Sequence, residues 1–577
     1  MSRMSIHGSE YPIRKIFSDD FFFTIPRYQR PYSWTTEQSE ELYQDLARAV
    51  HNFNGPAEEL APYFLGSILL IKGEDPHAEI IDGQQRLTTL TMLLAAIRSL
   101  MRSDFAEGIT GFLTEKGNII TNTPKRYRLQ LRELDKEFFQ TKIQDENGIE
   151  ELKKLNSEGL SESQKNIREN TLGFLRELEK LSQSQLETLT QFIVNHCYLI
   201  IVTVSAPDLD SVYRIFSVLN SRGLNLSYSD ILKSEIITAI PLNEQDKYAT
   251  KWEELQELLG QEQFETLFSD LRTIKSKKRL NRGMIEEFHE YVYPTRTPSL
   301  SAQEFIDGTL FPYAHALDNM LKANYQYQLA SDVKSINMKA INTMFRWLDQ
   351  LDYNRWIPPA LFYFVKYHRH QQNMVVKFLK DLERLVVSFM ICRVPPYKRI
   401  DRYCDLLTAI EQEQDLFAPD SPLQLTAIER KDMYRVLDGN IYHLHYVCRY
   451  VLLRLDAYRA ESGASYDFQT ASVEHVLPQR PAPDSRWRQL FPTKEIHDRY
   501  VNRLGNLVLL SRGKNISAEN YDFDLKKEKY FFANKLSTPF VLTNDLRDTK
   551  EYSEWTPAVI ERRQRALMNA MQQMWRL

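Results

Sequence analysis

The sequence has few cysteines and no long apolar run. Its four cysteines are scattered and form no CxxC pair, which excludes a disulfide framework and a cysteine zinc site of the usual spacing. No apolar run approaches the ~20 residues needed to cross a bilayer. The short run Phe21–Phe23 near the start is too short for the apolar region of a signal peptide. These absences predict a cytoplasmic protein with no membrane partner.

The sequence also lacks an excess of charge of either sign. Its formal net charge is −4, so its global charge does not indicate a nucleic-acid partner. Phosphate binding needs clustered lysine and arginine rather than a high overall pI, so any DNA contact must come from a local basic surface. With 577 residues, of which 43% are hydrophobic and 26% charged, the chain is typical of a globular protein with about three to five packing units.

The first 240 residues combine strand-like and helix-like patterns. Residues 63–72 form an apolar run that predicts a buried strand, and a second strand is predicted to end at Asp82. Gln84 then begins a predicted helix, because apolar residues recur at helical spacing after it. The β-branched run at 197–204 predicts a further buried strand. This half of the chain is therefore predicted to be an α+β domain.

The rest of the chain is helical in pattern up to a turn-rich stretch at 460–470, which is the best predicted domain boundary. After it the pattern indicates a strand, a loop, a second strand and a basic helix. We therefore predict an α+β multidomain fold with an all-helical middle, divided into residues 1–240, 241–460 and 461–577. Near the first boundary, Asp230 and Lys233 have two interpretations, as site residues or as a capped helix start with a solvated lysine, and the second is expected.

A cluster that suits phosphodiester hydrolysis follows the second boundary. Hydrolysis needs a base that deprotonates water, a divalent cation and a group that holds the base in one tautomer. His475 beside the carboxylate of Glu474 suits the first two tasks, provided that the strand ends there, with which Pro478 is consistent. Asn506 and Asn515 lie nine positions apart across a short strand and a turn, and such oxygen ligands suit Mg²⁺ or Mn²⁺. The alternative is a surface histidine in a turn, with loop asparagines.

The motifs EHVLPQ, RLGNLVLL, the asparagine after them and the basic helix together resemble the ββα-metal (HNH) nuclease domain of GmrSD-type modification-dependent (Type IV) restriction endonucleases. This resemblance implies that His475 is the general base and that Glu474 and Asn515 are metal ligands. It implies that Asn506 orients the His475 loop. The residues implied as phosphate contacts are Lys526, Lys527 and Lys529. One departure is Glu474, where many such sites have aspartate.

An anion site is also indicated where the second predicted strand turns into a helix, at Asp82-Gly83-Gln84-Gln85-Arg86. Gly83 permits a tight turn with positive φ. The N–H groups and dipole of the helix favour an anion, and Arg86 is able to make a bidentate phosphate contact. The alternative is a glycine turn with polar caps. The aromatic stretch YQRPYSW likewise has two interpretations, a ligand site or a surface that packs on the core.

The motifs IPRYQRPYSW, FLGSILL, DGQQRLTTL and IFSVLNSRGLNLSYSDILK resemble, in this order, the N-terminal half of the same family. The resemblance implies a ParB/sulfiredoxin-like fold that binds and hydrolyses a nucleoside triphosphate (GTP or another) and helps to sense modified DNA. Trp34 is implied to lie beside the nucleotide or the DNA. The implied nucleotide-binding residues are Tyr28, Gln29, Arg30, Asp82, Gly83, Gln84, Gln85, Arg86, Asn220 and Arg222.

Together these motifs predict an NTP-regulated, metal-dependent endonuclease that cleaves modified double-stranded phage DNA. Three alternatives stay open: a non-specific nicking defence nuclease, an enzyme that senses phosphorothioate DNA, and a nucleotide-dependent DNA-binding switch with an inactive nuclease domain. The sequence leaves a homo-oligomer possible and does not identify the DNA modification.

Overall fold

The computed structural model describes the greater part of the chain, namely residues 5–27, 29–51, 60–117, 125–205, 228–294, 301–327, 334–351, 354–460, 471–511, 520–532 and 538–577. The chain forms two compact units. The first comprises Met1–Gln261 with Leu300–Ile306, and the second comprises Glu262–Ser299 with Asp307–Leu577. No helix in the described ranges is long and apolar enough to cross a membrane.

A mixed β-sheet of six strands organises the first unit. In spatial order its strands are β1 (Ser5–Pro12), β8 (Cys197–Ser205), β3 (Tyr63–Lys72), β4 (His77–Asp82), β2 (Phe22–Thr24) and β7 (Leu129–Gln130). A separate short pair consists of β5 (Thr114–Glu115) and β6 (Arg126–Tyr127). β3 runs parallel to β8 and antiparallel to β4. The predicted strands at 63–72 and 197–204 are confirmed, but neither is buried along its whole length, because Phe64 is 57% and Ile200 38% exposed.

Helices make up most of the described chain. In chain order they are α1 Ile13–Ile16, α2 Thr36–His51, α3 Gln84–Leu100, α4 Ser103–Leu113, α5 Glu133–Phe139, α6 Gly148–Lys154, α7 Glu162–Leu178, α8 Gln183–His196, α9 Tyr228–Thr238, α10 Leu242–Leu259, α11 Gln261–Ser276, α12 Met284–Tyr291, α13 Ala302–Phe305, α14 Phe311–Lys322, α15 Lys334–Asp349, α16 Ile357–Tyr367, α17 Gln372–Ile391, α18 Pro396–Glu411, α19 Ala427–Leu437, α20 His445–Arg459, α21 Arg486–Leu490, α22 Lys494–Tyr500, α23 Phe523–Phe532, α24 Val541–Asn544 and α25 Pro557–Trp575. Single π-helical turns occur at Gln140–Gln144 and Ile306–Leu310, and 3₁₀ turns occur at Asn354–Trp356, Ile441–His443, Leu504–Asn506 and Asp545–Arg547.

Helix α3 is the centre of the first unit's core. It begins directly after β4 and is buried on nearly every side, because it packs against α4 and α7 as well as against the sheet. Its apolar residues Leu87, Leu90 and Leu94 are fully buried. Between Leu87 and Ile97 only threonines interrupt the apolar residues, and apolar side chains on most faces of a helix are typical of such a buried position. The helix therefore fixes the position of the β4–α3 turn.

At the end of the first unit, the prediction of a solvated Lys233 is wrong. Its side chain is 1% exposed and its Nζ lies 2.8 Å from Glu253 Oε1. Glu253 also bonds the buried Arg132. Lys233 is therefore part of a buried network of charges that joins α9, α10 and the turn before α5, and a buried ammonium needs such a partner.

The second unit contains both the helical middle and the predicted nuclease part. Trp575 Nε1 donates to Glu383 Oε2 at 3.2 Å, which ties α25 to α17. The backbone N–H of Leu542 donates to the buried carboxylate of Asp456 on α20 at 2.7 Å. The structure thus has two compact units where the sequence predicted three parts, because buried contacts join the regions before and after the predicted boundary near 460.

The predicted order of strand, loop, strand and helix is confirmed in the last part of the chain. β9 (Ala471–His475) pairs antiparallel with β10 (Leu507–Ser511), and α23 follows. The loop between the strands contains α21 and α22, which the proline-rich pattern had not predicted. A core of buried aromatic and aliphatic residues, with Trp487 and Trp555 among its members, lies beneath the strands.

Candidate active site

His475 is the last residue of β9, as the proline three positions later suggested. It pairs in register with Leu507 at the start of β10, and Glu474 pairs with Val508. Adjacent strand residues project to opposite faces, and the two side chains have different neighbours. Glu474 meets Lys526 of α23, whereas His475 meets Tyr442 and Asn502. The imidazole and the carboxylate thus project from adjacent residues at the end of β9, on opposite faces of the strand.

Asn506 holds the chain that follows His475. Its Oδ1 accepts from the backbone N–H of Leu477 at 2.8 Å and from Trp555 Nε1 at 2.9 Å. Its Nδ2 donates to the carbonyls of Leu477 at 3.0 Å and Val501 at 2.7 Å. The side-chain amide thus accepts two hydrogen bonds and donates two, and the residue is 0% exposed. Asn506 is therefore a clamp on the His475 loop, the position that the resemblance implied for it.

The turn that carries Asn506 is held in its place by α25. Gly505 donates its N–H to Gln564 Oε1 at 2.6 Å, and Arg563 Nη1 donates to the carbonyls of Gly505 and Leu507, each at 2.8 Å. A Cβ at Gly505 would lie 2.5 Å from the carbonyl oxygen of Ile560. The close approach of α25 thus requires glycine at this position.

The ring of His475 is buried and held on one nitrogen. Its Nε2 lies 3.0 Å from Asn502 Oδ1 and 3.4 Å from Gln479 Nε2. Because the shorter contact is to an oxygen that only accepts, we assign the proton to Nε2, and Nδ1 is then the proton acceptor. In the described part of the chain, no hydrogen-bond partner reaches Nδ1. The Tyr442 ring lies edge to face with His475 at 4.2 Å between centroids. Burial lowers the pKa of His475 to about 4, so the imidazole is neutral at pH 7, as a general base must be.

The structure corrects the role predicted for Lys526. Its side chain is 0% exposed, and its Nζ donates to Glu474 Oε1 and to the carbonyl of His475, both at 2.7 Å. Burial lowers the pKa of Lys526, and the carboxylate of Glu474 opposes that shift. A fully buried ammonium is not a surface contact for a phosphate, so Lys526 instead holds Glu474 and the end of β9. Lys527 Nζ donates to the carbonyl of Tyr552 at 3.1 Å, and the side chain of Lys529 lies outside the described residues.

The ligand chemistry at Glu474 fits a hard divalent cation, because carboxylate oxygens are the ligands that Mg²⁺ and Mn²⁺ prefer. The second predicted ligand, Asn515, lies outside the described residues. Within the described ranges, no group of three or more His, Cys, Asp and Glu side chains forms a metal-binding cluster. A cation at Glu474 would therefore complete its coordination with amide, water or phosphate oxygens, and would share the carboxylate with Lys526.

In the first unit, the predicted anion site is a tight turn between β4 and α3. Gly83 has φ +94°, and a Cβ there would lie 2.2 Å from Ile68 Cγ2, so the predicted positive φ is confirmed. Arg86 Nη1 donates to the carbonyl of Ser67 at 2.9 Å, and its guanidinium lies over Gly66. Burial lowers the pKa of Arg86, and the nearby carboxylate of Asp82 opposes this shift. The turn thus combines a glycine in the left-handed region of φ with a half-buried guanidinium.

The glutamines of this motif bring the YQRPYSW stretch to the turn. Gln85 Oε1 accepts from the backbone N–H of Ser33 at 2.8 Å, and its Nε2 donates to the carbonyl of Pro31 at 3.0 Å. Gln29 Nε2 donates to the carbonyl of Ile81 at 2.9 Å. These side chains bond the backbone of the neighbouring segment, so Gln29 and Gln85 join the two motifs. Gln84 is also buried, whereas Arg30 is half-buried.

The aromatic residues of the same stretch favour the packing interpretation. Tyr32 is 5% exposed, and its hydroxyl lies 2.7 Å from Thr89 Oγ1 and accepts from Asn170 Nδ2 at 2.9 Å. Trp34 is partly buried and packs against the core, and its carbonyl accepts from Asn170. The predicted site residues Tyr28, Asn220 and Arg222 lie outside the described residues.

Three residues of this candidate site were absent from the sequence prediction, namely Tyr442, Asn502 and Trp555. Asn502 lies four positions before Asn506, in YVNRLGN, and this short spacing could have indicated from the sequence that Asn502 belongs to the site. Tyr442 and Trp555 come from segments more than 30 residues away from His475, and no local pattern marks them.

The comparisons with known proteins agree with this division of motifs. A family model described as the GmrSD restriction endonuclease N-terminal domain matches residues 13–237, and one described as the GmrSD restriction endonucleases C-terminal domain matches residues 433–570. A search of curated proteins finds no match. The matched domains define a restriction nuclease, a DNA-cleaving hydrolase whose partner is DNA. Since the two matches together cover more than half of the chain, it belongs to the GmrSD restriction endonuclease family, and the resemblance drawn from the motifs is confirmed.

Proposed function

We propose that this chain is a metal-dependent endonuclease of the His-Me finger (HNH) type that uses His475 as its general base. The observation that carries this proposal is the buried, neutral His475 at the end of β9, held through Nε2 and without a described partner on Nδ1. A surface histidine in a turn, the alternative interpretation, would have neither the burial nor the fixed tautomer. Asn506 and Trp555 support the proposal because they fix the backbone just after this residue.

In the proposed reaction, Nδ1 of His475 accepts a proton from the attacking water, and the imidazolium that forms keeps its Nε2 proton and donates a hydrogen bond through it to Asn502 Oδ1. Asn502 thus stabilises the charged ring and keeps Nδ1 directed at the water. The edge of the Tyr442 ring restricts rotation of the imidazole. These residues orient the base before the substrate arrives, which is where positioning contributes to the rate.

Glu474 and Asn515 would hold one Mg²⁺ or Mn²⁺ ion. When bound, the ion would neutralise developing charge on the scissile phosphate. Lys526 keeps the carboxylate of Glu474 at the strand end, and its ammonium lowers the cost of burying that carboxylate.

For the first unit, we propose that the β4–α3 turn binds a nucleoside triphosphate and that its state regulates cleavage of modified foreign DNA, as in a Type IV system that acts in the cytoplasm. The N-terminus of α3 after Gly83 supports a phosphate site, since free N–H groups and the helix dipole favour an anion there. Arg86 adds a guanidinium at the same turn. Gln29 and Gln85 connect this turn to the YQRPYSW stretch by hydrogen bonds, so a nucleotide bound at the turn would alter the position of that stretch.

The experiment compares the cleavage of glucosylated, methylated and unmodified phage DNA by the full chain, with Mg²⁺ or Mn²⁺ and with or without each NTP. We expect His475→Ala to abolish cleavage and to leave NTP hydrolysis and the unfolding midpoint unchanged. His370→Ala, an exposed histidine of the helical part, is the matched control and should cut like the wild type. Cleavage by His475→Ala at the wild-type rate would refute the assignment of the base.

A second candidate is a nucleotide-dependent DNA-binding switch with an inactive nuclease site. The observation that favours it is the pairing of Glu474 with the buried Lys526, because the charge expected to hold the metal already has a counter-ion. Nicking of supercoiled plasmid separates the two candidates. Metal-dependent nicking that disappears in His475→Ala supports the nuclease, and DNA binding without nicking at any metal concentration supports the switch.

A further inference from the structure

A cavity of about 390 Å³ opens beside the proposed general base. The turn at Ile441–His443, the start of α20 and the start of β9 form its walls. Its lining residues are Tyr442, His445, Tyr446, Arg449, Ala471, Ser472 and Val473. Tyr442 also contacts the ring of His475, at 4.2 Å between centroids. The cavity and the catalytic histidine therefore share one wall.

The chemistry of this lining suits a nucleotide. Tyr442 and His445 stand edge to face at 4.8 Å between ring centroids, so the cavity has aromatic faces against which a base or sugar can pack. Tyr446 is fixed by a hydrogen bond from its hydroxyl to the carbonyl of Gln350. His445 and Tyr446 lie four and three positions before Arg449, about one helical turn, so these three residues fall on one side of α20.

Arg449 supplies a charge for a phosphate. Helix α20 carries three arginines, and two of them have carboxylate partners: Arg454 pairs with Glu383, and Arg459 pairs with Asp545. Among the residues that the structure describes, no carboxylate forms an ion pair with Arg449. Its guanidinium lies over the ring of Tyr446 at 5.5 Å. A planar guanidinium without a carboxylate partner is suited to bidentate phosphate binding.

From these contacts we infer that the cavity binds one nucleotide of the DNA strand next to the scissile phosphate. Arg449 binds the phosphate of this nucleotide, and Tyr442 and His445 contact its sugar and base. The inference rests on the proposed nuclease function and deepens it, since it identifies where the substrate strand continues from His475. The volume is within the range of about 300–1,000 Å³ that is usual for ligand pockets.

The test measures the binding of a fluorescein-labelled duplex oligonucleotide to the full chain by fluorescence anisotropy over a range of salt concentrations. A chelator is present so that no cleavage occurs. We expect Arg449→Gln to weaken binding and to reduce the slope of log K against log salt by about 0.9, the value for one phosphate contact. His445→Ala should weaken binding about 5-fold or more, as expected for the loss of a stacking contact, and should leave the slope unchanged.

Arg435→Gln is the matched control, because it also removes one positive charge from the second unit but lies outside the cavity. Unfolding midpoints exclude a folding defect as the cause of weak binding. If the wild type binds and cuts DNA while both cavity variants bind like the control, only this inference is refuted. If the wild type neither binds nor cuts DNA, the proposed function fails and this inference fails with it. Displacement of the oligonucleotide by excess mononucleotide from the wild type, but not from Arg449→Gln, would assign the cavity to a free nucleotide and overturn the inference.

Discussion

Asn506→Ala tests how much the asparagine clamp at the candidate active site contributes to the stability of the second unit. The substitution removes four buried hydrogen bonds and leaves two donors, the N–H of Leu477 and Nε1 of Trp555, without their acceptor. Each buried donor without a partner costs about 1–3 kcal/mol. With the space left by the amide, we expect the free energy of unfolding of the second unit to fall by about 3–5 kcal/mol. That is a large part of the ~5–15 kcal/mol that stabilises a typical domain.

The assay is urea unfolding followed by tryptophan fluorescence, because Trp487 and Trp555 are buried in the same core as the clamp. Asn502→Ala is the matched variant: it removes the contact to Nε2 of His475 from a half-buried position. It should cost about 1 kcal/mol of stability and still lose most of the cleavage activity. An Asn506→Ala variant that unfolds at the wild-type urea midpoint would refute the reasoning, because the clamp would then contribute nothing to stability.

Further predictions concern single positions in the second unit. Gly505→Ala should lower the free energy of unfolding by about 1–3 kcal/mol, because its Cβ would meet the backbone of α25; Gly308→Ala, where nothing lies within 4 Å of the added Cβ, should not, as thermal unfolding of both would show. Burial raises the pKa of Asp270 to about 8, so between pH 4 and 8 the unfolded state releases a proton that the folded state keeps. Stability should therefore fall as pH rises through this window, by up to about 1.4 kcal/mol per pH unit. Asp270→Asn should flatten that decline in urea titrations at several pH values, and an unchanged decline would contradict the assignment. Lys526→Met should cost about 3 kcal/mol, since it removes one partner of a buried ion pair, and Glu474→Gln in the same chain should restore part of the loss; a wild-type midpoint in the single variant would show that the pair is not buried in solution.

The regular elements could be predicted from sequence because their patterns are local. The apolar run at Tyr63–Lys72 forms β3 with these same bounds, and Gln84 begins α3 after a glycine whose positive φ was expected. His475 at a strand end and Asn506 nine positions before a second asparagine were recognised from short motifs. In each case the information lies within about ten residues of the chain.

What the sequence could not show depends on partners that are distant in the chain. Lys526 looks like one of several surface lysines in a basic helix, and only the fold brings it to Glu474, 52 residues earlier. Lys233 is buried for the same reason, because Glu253 on the next helix reaches it. The helical region and the C-terminal region form one compact unit partly through the hydrogen bond between Trp575 and Glu383, which are 192 residues apart in the chain. Such pairings leave no periodicity along the chain.

The edge-to-face contact between Tyr442 and His475 limits how this nuclease can be transplanted. A fragment cut within the turn-rich stretch at 460–470 would retain both strands, the histidine and the asparagine clamp, yet would leave the phenol ring behind on the other piece. The family match, which begins at residue 433, includes that ring. A fragment meant for fusion to another DNA-binding protein should therefore start before the turn at Ile441–His443, because a shorter fragment would hold the His475 ring through Asn502 but would lack the contact with Tyr442.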